Sequence, residues 1–204
     1  METAQGRYEP ARERLERVLR VARRSDEPMV RAHSLGRILA TLAVNRLEAG
    51  DLAAATRHVA RGQALREQIG ECAGCDVLLY PAAVPVYIAH GDLDLAAASC
   101  RSAEEVATAF SSTAWVASAR YLQGLLDAAQ GHHDAATGRL RQAVAMFEAL
   151  GQPYETAQGL EALARVVDGG EPALLREQAR RLYADLGALG ALERLERLSV
   201  PSTG

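Results

Sequence analysis

The chain has 204 residues, 49% hydrophobic and 4% aromatic, which suits one packed domain or a short repeat array and excludes intrinsic disorder. Its 40 Ala and 27 Leu outnumber Val, Ile and Thr, which together number 25, and this is the composition of helices rather than sheets. The 23 basic residues, all Arg, stand against 26 acids for a net charge of −3, so the chain lacks the overall basic signature of a nucleic-acid binder.

Residues 1–10 are polar and hold no apolar stretch of signal-peptide length, so a cytoplasmic location is expected. Three cysteines, an odd number, fit a reducing compartment better than a disulfide framework. Read in chain order, apolar spacing and turn residues predict helices over 7–24, 28–49, 51–69, 76–90, 92–110, 113–130, 132–150, 153–167 and 171–186. Asp51, Asp92 and Asp134 suit N-caps or the positive end of a helix, and Pro28, Pro153 and Pro172 suit first turns. A last amphipathic helix carries Leu189, Leu192, Leu195 and Leu198; it either closes the stack or serves as the seam of a homodimer. The longest apolar run, 77–89, is 13 residues with Pro81 and Pro85 inside it, short of the roughly 18 to 20 that a membrane span requires. It reads as a buried helix, and no membrane association is expected.

Glycine recurs ahead of Ala-rich stretches at Gly6, Gly50, Gly91, Gly131 and Gly170, at spacings of 44, 41, 40 and 39. Five residues after each lies Ala11, Ala55, Ala96, Ala136 or Leu175, and nine after lies Leu15, Val59, Cys100, Leu140 or Ala179. Positions four apart share a helix face, so each copy presents a small residue beside a packing residue. A second punctuation falls about midway, at Ser25, Gly70, Ser111, Gly151 and Gly190. Each unit is therefore two helices joined by short turns. The expected fold is all-α: one domain over 1–204, a right-handed superhelix, or solenoid, of about four and a half antiparallel helix hairpins at 6–49, 50–90, 91–130, 131–169 and 170–198. Gly6 opens the second helix of a pair, so helix 7–24, rich in Arg, is expected either to cap the stack or to follow a partner outside this sequence.

The Gly-Asp turn, with Ala at plus five, a larger apolar residue at plus nine and Ala103 or Ala143 at plus twelve, resembles the tetratricopeptide repeat. Tyr87 and Gly124 fall on that family's motif positions, while Arg46 and Asp127 stand in the place of Tyr87. A narrower stretch, 109–166, resembles the helical-repeat regions that precede the DNA-binding domain of large LuxR-type bacterial regulators. That resemblance implies a sensing or interaction arm in transcription regulation; no helix-turn-helix follows, so direct DNA binding is not expected of this chain. The tetratricopeptide resemblance also implies an inner groove lined by the first helix of each pair, at Arg37, Val44, Leu47, Leu78, Pro81, Pro85, Ile88, Ser118, Tyr121 and Leu125. Such a groove is mostly apolar. It suits a protein or peptide partner in the form of an amphipathic helix, or an apolar small molecule. Pro81 and Pro85, one turn apart, are expected to bend their helix, as central packing or to shape the groove.

No Gly-rich phosphate loop, nucleophile elbow or HExxH motif is present, so a non-enzymatic role without cofactor is expected. His132, His133 and Asp134 sit where a turn or cap is predicted. Cys72 and Cys75 form a CxxC ahead of the helix predicted at 76, and helix N-termini lower thiol pKa. His33 lies 17 before Gly50 and Gly74 lies 17 before Gly91, which puts His33 level with Gly74 on neighbouring helices. Cys72, Cys75 and His33 thus define an alternative to the groove, a thiol or metal sensor, against the plainer reading of ordinary thiols. Cys100 holds the plus-nine packing position. Charge is uneven, +4 over 1–70 and −7 over 71–204, and reads as solvated faces because aromatics that would stack on bases are absent from the basic end.

Overall fold

The computed structural model describes residues 2–70 and 73–199. Among them are ten α-helices and no strand: α1 (Tyr8–Ala22), α2 (Pro28–Glu48), α3 (Leu52–Ile69), α4 (Ala73–His90), α5 (Leu93–Ala109), α6 (Thr113–Ala129), α7 (His133–Ala149), α8 (Pro153–Leu163), α9 (Glu171–Asp185) and α10 (Leu189–Ser199). Every predicted helix has a counterpart. The largest departures are α4, which starts at Ala73 and so takes Cys75 into its first turn, and α8, which stops at Leu163 instead of 167. After Leu163 the chain tightens into bonds from Arg165 N to Ala162 O and from Val166 N to Leu163 O, the pattern of a closing turn.

The turns follow the glycines. Gly6, Gly50, Gly91 and Gly131 all have φ between 75° and 90°, the left-handed region that favours a residue without Cβ. Two punctuation assignments need correcting. In the fifth copy the left-handed residue is Gly169, not Gly170, and the last turn uses Gly187, not Gly190. Gly190 sits inside α10, where a Cβ would meet Gly6 Cα at 2.8 Å, so its missing side chain serves a close approach and not a turn. Asp51 caps α3 by accepting from Ala54 N at 2.9 Å. Asp92 occupies the N-cap of α5 without a side-chain bond, and Asp134 lies in the first turn of α7, whose N-cap is His132. Ser112, not singled out in the sequence, caps α6 through Trp115 N.

Each helix packs on the next in the chain, and α2 also packs on α4, as α4 does on α6. The plus-five and plus-nine positions form the interior: Ala11, Ala55, Ala96, Ala136, Leu175, Val59, Cys100, Leu140 and Ala179 are all buried, with Leu15 partly so. A central core joins Ala43, Ala55, Val59, Ala83, Val84, Ala96 and Leu122, and a second joins Leu140, Leu160, Ala179, Tyr183, Ala191 and Leu195. Burial of a side chain such as Leu122 stabilises by roughly 1.5–3 kcal/mol. The small residue is needed where helices approach closely: a Cβ on Gly124 of α6 would meet Leu140 Cγ of α7 at 2.7 Å.

The position of Tyr87 is also a buried junction in the other copies. Arg46 donates to Glu9 of α1 in a 2.6 Å ion pair and also to Tyr8 O, while Asp127 pairs with Arg139 of α7 at 2.8 Å. A buried charge is tolerated because a partner on the adjoining helix meets it. The two ends of the row also touch: Gly190 N donates to Ala4 O at 2.9 Å, and α10 buries Ala191 and Leu195 against α8 and α9. α10 thus lies against α8 and α9 and reaches the start of the chain. No described helix is long and apolar enough to cross a membrane.

Candidate functional site

The ten groove residues lie on α2, α4 and α6, the three helices that pack in one continuous row. None of them is fully buried. Arg37 is exposed and Val44 is 39% exposed, while Leu47, Leu78, Pro81, Pro85, Ile88, Ser118, Tyr121 and Leu125 are partly buried. Leu47, Leu78, Ile88 and Tyr121 rest against the central core, and Tyr121 and Leu125 against the second one, so these side chains share their surface between packing and solvent. Arg37 reaches across to α4 and donates to Gly74 O at 3.2 Å. Pro81 and Ser118 meet in one narrow cleft between α4, α5 and α6, walled by Tyr80, Val106 and Trp115. The helix runs on through Pro81 and Pro85, each of which removes the amide that would bond the carbonyl four residues back.

Next to this row is a charged cluster that the sequence did not reveal. Glu161 of α8 is buried and accepts from Arg165, from Arg194 of α10 at 2.9 Å, and from the Tyr183 hydroxyl of α9 at 3.0 Å. Burial pushes the Glu161 carboxyl up, but the hydrogen bonds and charges of Arg194, Arg165 and Tyr183 outweigh it and hold the group below the usual carboxylate range. Arg194 also donates to Glu48 at the end of α2. The cluster therefore fixes α10 against α2, α8 and α9 at once.

The sequence alignment of His33 with Gly74 has a direct counterpart in space. A Cβ on Gly74 would lie 3.0 Å from His33 Cε1, and Cys75 Sγ lies 3.3 Å from His33 Nδ1. Cys75 is buried in the first turn of α4 and lines a narrow cleft between α2, α3 and α4. Asp76, also buried, pairs with Arg66 of α3 at 3.1 Å, and Arg66 lies over the Tyr80 ring. Cys72 lies outside the described residues. Among the described residues no three His, Cys, Asp or Glu converge as metal ligands. Cys100 is buried in the central core, where burial pushes its thiol up to about 12, the state of a packing residue. His132, His133 and Asp134 are exposed at the start of α7 and point to no shared centre, as consecutive residues of a helix start do not converge.

No protein-family model matches the chain, nor does any curated protein sequence. Among solved structures, BtubC (BKLC) from P. vanneervenii is similar, with a TM-score of 0.62 at 16% identity over 93% of this chain and 84% of that one. A likeness at that identity is a likeness of fold, and it makes this an all-helical protein of repeat-like build.

Proposed function

We propose that the chain is a non-enzymatic interaction or ligand-sensing module: a right-handed, tetratricopeptide-like superhelix whose row α2–α4–α6 receives a protein or peptide helix, or an apolar small molecule. The observation that carries this reading is the partial exposure of apolar side chains along three helices that touch in sequence, from Val44 through Leu78, Pro81 and Ile88 to Tyr121 and Leu125. An amphipathic helix would bury these residues, and contiguous apolar surface is what such recognition uses. On this reading the module works in the cytoplasm as the sensing arm of a LuxR-type regulator, without cofactor or direct DNA contact. Binding would act by differential stabilisation: an occupant spanning α2 to α6 favours one curvature of the row, and the contact of α2 with α10 carries that bias to the far end. The test is retention of a binding partner from host extract by wild type and by Val44→Glu, Ile88→Glu and Leu125→Glu, with Leu95→Glu on α5 as control. The reading requires helical circular dichroism to survive in Val44→Glu while the partner retained by wild type is lost; retention by Val44→Glu and loss by Leu95→Glu would move the site elsewhere.

A second reading, a thiol sensor, is favoured by the contact of Cys75 with His33. It requires Cys75→Ser to abolish a response that the groove reading leaves intact.

A further inference from the structure

We propose that the open flank of α1 is a docking surface for an acidic amphipathic helix of a partner protein. The inference goes beyond the reading above, because α1 is not part of the row α2–α4–α6. Each of α3, α5, α7 and α9 packs between the helix before it and the helix after it, whereas α1 packs on α2, the helix after it. Residues 2–6 are tied down beside the start of α1, where Thr3 accepts from Asn45 and Ala4 from Gly190. Toward its other end α1 is open.

Two stripes run side by side along α1. Leu15 and Leu19, four apart, join Leu39 and Leu42 of α2 in a core. Arg14, Arg17, Val18 and Val21, at offsets of three, four and seven, share the neighbouring stripe, and all four are exposed, Val21 by 66%. Across the turn, which Arg31 ties down by donating to Ser25 O, Met29 and Val30 are exposed as well. This is the spacing with which one helix receives another, and a helix that merely ended the stack would be polar there. Valine is short, which suits close helix packing; the Trp, Phe and Leu with which interfacial helices enter a bilayer are absent from this stripe.

Charge sets the sign of the occupant. Residues 7–24 hold seven Arg and three Glu. Glu9 and Glu16 are already held by Arg12, and Glu9 by Arg46 too, whereas Arg17, Arg20, Arg23 and Arg24 have no carboxylate partner among the described residues. Glu13, and Asp26 and Glu27 in the turn, offset part of the excess without reversing it. A second copy presenting the same edge would set Arg against Arg. A partner helix with carboxylates beside its apolar stripe would instead meet Arg17 and Arg20 while covering Val18 and Val21.

The experiment mixes the full chain with two fluorescein-labelled synthetic helices of the same Leu and Ala stripe, one flanked by Glu and one by Lys, and reads anisotropy. The Glu helix should bind at least about tenfold more tightly than the Lys helix, and Val21→Glu or Arg17→Glu should each weaken it by about tenfold, as should added salt in lesser degree. Val44→Glu should leave its binding unchanged. Both edge positions are exposed, and circular dichroism checks that the variants stay helical; should Val21→Glu lose helicity, Arg17→Glu decides. No binding of the Glu helix, equal binding of the two, or binding lost in Val44→Glu would overturn the proposal. Co-sedimentation with phosphatidylserine vesicles, or a dimer that Val21→Glu abolishes, would also overturn it and assign the edge to a membrane or to a second copy.

Discussion

Arg194 on α10 donates to Glu48 on α2, a contact between residues 146 positions apart. The same guanidinium holds Glu161 of α8, so one side chain joins the second, eighth and tenth helices. A stack in which each helix touches only its neighbours has no such tie, and this one makes the geometry of α2 and of α10 interdependent.

Arg194→Ala removes the main partner of a buried carboxylate, leaving Arg165 and Tyr183 on Glu161. Because those two remain, the expected loss is roughly 2–4 kcal/mol, at or below the range for breaking a fully buried pair. Urea denaturation should show a lower midpoint. Hydrogen exchange should rise selectively in residues 2–8, which α10 holds through Gly190 and Ala4. An unchanged midpoint would mean that the cluster is decoration.

The acid limb of stability follows from the same group. Glu161 has a folded-state pKa below its ordinary value near 4.5, so its contribution is complete above that value and is lost as pH falls through the folded one. Denaturation midpoints should therefore decline below about pH 4.5, and Glu161→Gln should make that decline shallower while lowering stability at neutral pH. Glu177, held at about 2 by hydrogen bonds from Arg180 and Arg181, forms two solvated ion pairs on α9. Its removal should have little effect, erased by salt.

Among the described residues, Ser111 is the non-glycine residue with positive φ, at 49°, in the turn where other copies place Gly70 or Gly151. An L side chain in the left-handed region is strained by roughly 1–2 kcal/mol, and glycine loses part of that advantage to unfolded-state entropy. Ser111→Gly should raise stability by roughly 0.5–1 kcal/mol, read as a higher thermal midpoint. A fall would show that the Ser111 side chain contributes more than its backbone strain.

The repeat was legible because local physics repeats: Ala55, Ala96 and Ala136 are small for the same reason, the close approach of paired helices, and Gly50, Gly91 and Gly131 turn for the same reason. His33 and Gly74 could be set side by side because equal offsets from a turn mean equal height on neighbouring helices. Where a residue served a second purpose, counting misled. Gly190 matches the turn spacing yet exists to admit Gly6, and Gly170 is displaced by its neighbour Gly169. Glu48, Glu161 and Arg194 carry no local signal at all. Each looks like an ordinary charge on a helix, and their meeting depends on which distant helices come together, which no window of sequence records.

The most direct test of the inner-face account is a photo-crosslinking amino acid placed at Val44 on α2 and, separately, at Leu95 on α5, both exposed, in cells that contain the natural partner. The account predicts a discrete adduct from Val44 that Leu125→Glu abolishes, and none from Leu95. Adducts from Leu95 with none from Val44 would contradict it and place recognition on the opposite set of helices.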